Sequence, residues 1–220
     1  ASAEKDYARA EKELRTVHEL DGAREDATLT LISLLTDQGR PTEARQIAEK
    51  SLERLQATSR VRIKLGEILE LQGLSSEAQA QYEKVMSDNQ LAGATTDMLD
   101  AYNTASARLA GLLADQGINL DQALQLASAA KRYRPEDPLF SDSIGWVHVR
   151  KLRAKVGLPY LEAAVNGAPE NPVFRYHLGV AYEQMGDFAK ARTELTRALA
   201  SSPNFVGADN ARMLLKSIGK

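Results

Sequence analysis

Apolar residues along this chain keep helical spacing, and small residues interrupt them with a fixed period. Gly111, Gly145 and Gly179 are 34 residues apart, and so are Pro135, Pro169 and Pro203. Run backward, that period divides the chain into five units, 25–58, 59–92, 104–137, 138–171 and 172–205. The seventh and eleventh residues of the units are mostly apolar: Leu31, Leu65, Ala110, Ile144 and Leu178, then Leu35, Leu69, Ala114, His148 and Tyr182. The eighth residues are Ile32, Gly66, Gly111, Gly145 and Gly179. The twentieth are Ala44, Ala78, Ala123, Gly157 and Ala191, and the twenty-seventh are Ser51, Val85, Ala130, Ala164 and Ala198. Of these 15 residues, 13 are Gly, Ala or Ser, where average usage would place about 4. A period of this length over helical spacing predicts stacked pairs of antiparallel helices, each pair unable to bury its apolar face alone.

Two helices approach to the low end of about 8–10 Å only where side chains are small. The eighth and twentieth residues are therefore expected where helices A and B of one unit cross. The twenty-seventh is expected where helix B meets the next unit. The closing prolines end helix B, although Gln56 and Gln90 stand in their place in the first two units.

Three stretches fall outside the units. Residues 3–20, with Tyr7, Ala10, Leu14 and Val17, read as the second helix of an incomplete unit, so further repeats are expected upstream. Residues 93–103 are an insertion whose Met98, Ala101 and Tyr102 continue the apolar spacing of Ala105, Leu109, Leu112 and Leu113. One long helix from about Thr95 to Asp115 follows, capped by Thr95 or Thr96. At the other end, 205–218 sets Gly207, Ala211, Leu214, Leu215 and Ile218 on one face and Asp209, Arg212 and Lys216 on the other, the pattern of a capping helix with a polar outer side, expected to cover Leu195 and Leu199 on the last B helix.

Composition narrows the function. Lys and Arg number 28 against 30 Asp and Glu, so there is no basic excess to displace counterions from nucleic acid. Cysteine is absent, which removes disulfides, thiolate nucleophiles and thiolate metal sites. No apolar run reaches the roughly 18 residues of a membrane span. The histidines are His18, which stands alone near the end of the first helix, His148, at a core position, and His177. No His-Glu-x-x-His run or Gly-rich phosphate loop is present. The reading is a chain that is not an enzyme and needs no cofactor or metal.

The last unit carries the clearest motif: Tyr176-His177-Leu178-Gly179-Val180-Ala181-Tyr182, then Gly186-Asp187-Phe188-Ala189-Lys190-Ala191, Ala198 and Pro203. It resembles the tetratricopeptide repeat family. The fourth residue, often Trp there, is Thr28, Arg62, Ala107, Ser141 or Arg175 here. The resemblance implies a right-handed α-solenoid of about five repeats along residues 1–220, whose A helices line a concave groove for a peptide or protein partner. Carried onto this sequence, the groove positions include Arg108, Leu112, Asp142, Trp146, Arg150, Tyr176, Val180 and Glu183. Trp, Tyr and Arg among them are common interface anchors. The Lys and Asn pair by which chaperone-binding members grip a terminal carboxylate has no counterpart at the fifth and ninth positions. A narrower likeness lies in Asp142–Val147, Gly157–Leu161 and Arg175–Leu178. These runs resemble repeat proteins of bacterial exopolysaccharide export, which implies a periplasmic or exported scaffold. A self-associating structural module and a cytoplasmic adaptor are the alternatives.

Overall fold

A computed structural model describes residues 2–20, 25–54, 59–89 and 94–219, with the side chains of 2–8 and Leu20 outside that description. The packing of Tyr7, the residues Gln56 and Gln90, and the ends of the first two repeats are thus outside the described residues. The described backbone is all α, with twelve helices and no strand. It divides into two compact units at Ala101/Tyr102.

The first unit holds α1 (Ser2–Leu20), α2 (Glu25–Asp37), α3 (Pro41–Arg54), α4 (Ser59–Leu71) and α5 (Ser75–Asp88). Each helix packs on the next along α1–α2–α3–α4, α4 packs on α5, and α2 also touches α4. Leu31, Ile32, Leu35, Val61, Ile68, Leu69 and Tyr82 form its fully buried core. Gly66 lets Tyr82 in: a Cβ there would lie 2.5 Å from the ring. His18 does not stand alone. It is buried, and its Nδ1 lies 3.1 Å from the hydroxyl of Thr28. The unconventional fourth residue of the first repeat thus holds α1 in place. Outside, Arg15 and Arg40 each bridge Glu11 and Glu43 at 2.6–2.9 Å. Those guanidinium hydrogen bonds, from Arg40 first, hold the Glu11 carboxyl below its ordinary range. Exposed pairs of this kind are individually weak, but a network shared by α1, α3 and the turn before α3 fixes where α1 lies.

The boundary falls inside the long helix α6 (Thr96–Gln116), whose start is capped by the Thr95 hydroxyl accepting from the Met98 N–H at 3.3 Å. The second unit continues with α7 (Leu120–Tyr133), α8 (Pro138–Arg150), α9 (Ala154–Gly167), α10 (Pro172–Gln184), α11 (Phe188–Ser201) and α12 (Ala208–Ser217). The dipeptides Asp137-Pro138 and Asn171-Pro172 start α8 and α10. The acceptor side chain binds free amides of the first turn, and proline takes a position whose N–H has no helical partner. Helices α7, α9 and α11 end two residues before Pro135, Pro169 and Pro203.

Within the hairpins the small residues separate into two kinds. A Cβ on Gly157 would lie 2.5 Å from the Gly145 carbonyl oxygen, and one on Gly145 would lie 2.8 Å from Leu161, so these backbones nearly touch. Gly179 receives Leu195 in the same way. Gly111 differs: a Cβ there would meet nothing within 4 Å. The close crossing expected at every eighth position is absent at this one.

Candidate functional site

The groove positions of the second unit come from α6, α8 and α10, the A helices of three successive hairpins. Contacts join Trp146 to Arg150, to Tyr176 and, through His177, to Asp142, and four of the eight positions are buried. Trp146 is 1% exposed, Asp142 5%, Tyr176 6% and Leu112 3%. Arg108, Arg150, Val180 and Glu183 are half-buried and reach the surface. Trp146 and Tyr176, expected as anchors at the face, therefore form a buried floor, and the partly accessible positions are the charged and aliphatic ones.

The floor is built around Trp146. Its indole N–H donates to Asp115 Oδ1 at 2.8 Å, tying α8 to α6. One face stacks on the His177 imidazole, with centroids 3.9 Å apart and planes 8° from parallel. His177 Nδ1 in turn lies 2.9 and 3.0 Å from the two Asp142 carboxylate oxygens, tying α10 back to α8. The Arg150 guanidinium sits 5.4 Å from the Trp146 ring centroid and donates to the Asp115 carbonyl oxygen at 3.3 Å. Tyr176 tilts against both Trp146 and Phe205, and Asn210 hydrogen-bonds its hydroxyl. Gly207, in the left-handed conformation at φ 97°, admits the Tyr176 ring, which a Cβ would meet at 2.5 Å.

Electrostatics follow from this burial. Desolvation pushes the Asp115 carboxyl above its ordinary range, against the His177, Trp146 and Arg150 interactions that favour its charged form. Burial first, and the Arg153 and Lys151 charges second, lower His148. The arrangement positions side chains: Trp146, Asp142, His177 and Tyr176 each find a polar partner on a neighbouring helix. Among the described residues no group of three His, Cys, Asp or Glu is placed to hold a metal ion, and no helix is long and apolar enough to cross a membrane.

Of the residues forming this floor, sequence reasoning overlooked His177, Phe205 and Asn210. His177 sits at a sixth position, between a groove position and a core position, and the period assigns it to neither. Phe205 and Asn210 belong to the cap, whose sequence suggested only a cover for α11.

The tetratricopeptide repeat model matches residues 1–68 and 153–217. No curated protein matches the chain. Among solved structures, the tetratricopeptide protein TTC0263 of Thermus thermophilus is 19% identical, with a TM-score of 0.66 over 88% of this chain and 98% of that one. The Cut9–Hcn1 hetero-tetramer of the APC/C gives a TM-score of 0.70 at 14% identity, over 96% of this chain and 39% of that one. MamA from Desulfovibrio magneticus RS-1 gives 0.50 at 17% identity, over 81% and 94%. At such identities these likenesses show a shared fold.

Proposed function

The chain belongs to the tetratricopeptide repeat family, and from that premise we propose that it is a binding scaffold, not an enzyme, that holds a peptide or protein on the A-helix face of its second unit. The observation supporting this reading is the Trp146 floor. Hydrogen bonds and stacking join α6, α8 and α10, and the half-buried Arg108, Arg150, Val180 and Glu183 would form the rim above them. A face fixed before binding loses little conformational freedom on binding, which is how a small rim gains affinity. Trp146 and Tyr176 act in this reading as supports, and the rim makes the contacts.

Peptides selected from a random library against the protein test it. Trp146 is the only tryptophan and lies under the rim, so its emission should shift on titration. Arg150→Glu and Val180→Asp should each weaken binding at least tenfold while helical content stays unchanged. Unaltered affinity in both variants would remove this face from the site. The finer setting, an exopolysaccharide-export assembly outside the cytoplasm, rests on the runs Asp142–Val147, Gly157–Leu161 and Arg175–Leu178 alone. The comparisons support the general scaffold and do not narrow it to that system. Sedimentation over a range of concentrations separates the scaffold from the alternative of a self-associating module.

A further inference from the structure

The turn between α8 and α9 has three features that internal packing does not explain. Leu152 occupies the left-handed region at φ 57°, where the corresponding turns use Gly39, Gly73 and Gly186. It is also 84% exposed, the most exposed large apolar side chain among the described residues. A leucine there is strained relative to glycine, and so exposed a side chain gains nothing from the fold in return. The turn itself is firmly held, since the Leu152 and Arg153 amides donate to the Val149 and His148 carbonyls at 2.9 Å.

The third feature is charge. From Arg150 to Lys155 the chain carries four cations and no carboxylate, although its net charge is −2. Arg150 is engaged with Trp146 and the Asp115 carbonyl, and Lys151 bonds Asp121 of α7. Arg153 and Lys155 form no ion pair among the described residues. The Lys151–Asp121 bond also shows that the α6–α7 and α8–α9 turns lie side by side. Ile118, 46% exposed, and Val156, 49% exposed, belong to the same edge.

We propose that this edge is a second docking surface, distinct from the A-helix face, and that its occupant is an acidic protein segment presenting carboxylates beside an apolar pocket. Leu152 enters the pocket, and Arg153 and Lys155 meet the carboxylates. Charge complementarity selects this occupant over the others. A second copy related by a twofold axis would set cations against cations. Adsorption to an anionic membrane draws on clusters of roughly 4–8 basic residues, whereas here two cations are unpaired and the Asp121 side chain beside them is 91% exposed.

The test selects peptides from a random library on the whole chain and measures each against three proteins: native, Leu152→Gly, and the double variant Arg153→Glu with Lys155→Glu. Leu152→Gly relieves strain, so misfolding does not confound it. One class of selected peptides should be acidic with an apolar residue. It should lose at least tenfold in affinity to both variants and none to Val180→Asp on the other face. The proposal is overturned if no such class appears, or if its affinity is unchanged in both variants. It is equally overturned if the edge-sensitive partner proves to be phosphatidylglycerol-containing vesicles or a second copy seen by sedimentation.

Discussion

At single residues, this chain places costs where the repeat pattern does not require them, and Leu152 is the clearest case. A left-handed non-glycine residue costs about 1–2 kcal/mol. Glycine recovers that strain less the extra freedom it gives the unfolded chain. Leu152→Gly should therefore raise unfolding free energy by about 0.5–1 kcal/mol, read from chemical denaturation midpoints. A lower midpoint would mean that Leu152 packs on something. Asp115 is a second case. Its carboxyl is raised by burial, so the folded state binds a proton more readily than the unfolded chain does. Stability associated with Asp115 is present below its unfolded value, near pH 4, and is lost as pH rises through the raised folded value. Asp115→Asn keeps an oxygen for the Trp146 N–H and removes that titration. Its melting temperature relative to the native protein should climb above about pH 4 and then level. A difference constant with pH would show that Asp115 titrates normally.

At the level of helices, the 34-residue period made the hairpins legible because each hairpin solves one packing problem with small residues at fixed places. The period treats Gly111 and Gly145 alike, and the structure does not. Gly145→Ala puts a methyl 2.8 Å from Leu161 and 3.0 Å from the Gly157 carbonyl oxygen. It should cost about 1–3 kcal/mol by overpacking. Gly111→Ala meets nothing within 4 Å and gains helix propensity, so it should stabilise by about 0.5–1 kcal/mol. Opposite signs in thermal melts would confirm the distinction. The sequence could not supply it, because the neighbour facing each glycine comes from another helix. The same limit applied to the groove. Repeat position placed Trp146 and Tyr176 on the A-helix face, but their burial depends on His177, Phe205 and Asn210, which lie outside the positional rules.

For the molecule as a whole, the cap decides how the second unit ends. Its sequence suggests a lid over α11. In the structure α12 does pack on α11, and Leu195 is also buried against Gly179 inside the α10–α11 hairpin. The capping segment works elsewhere as well: Phe205 and Asn210 engage Tyr176, Gly207 admits its ring, and Arg192 of α11 donates to the Ile218 carbonyl at 2.7 Å. Removing residues 204–220 would therefore uncover Tyr176 and, behind it, the Trp146–His177 stack, opening the floor from its end. A buried aromatic carries about 150–250 Å² of surface, so baring about half of this one forfeits about 2–3 kcal/mol at roughly 25 cal/mol per Å² of apolar area, and the exposed patch promotes association. The truncated chain should melt earlier, self-associate in sedimentation, and show red-shifted Trp146 emission as water reaches the indole. A chain that aggregates with unchanged emission would place the cap over α11 alone, as the sequence first suggested. One that stays monomeric, with native melting and emission, would show that the floor stands without the cap.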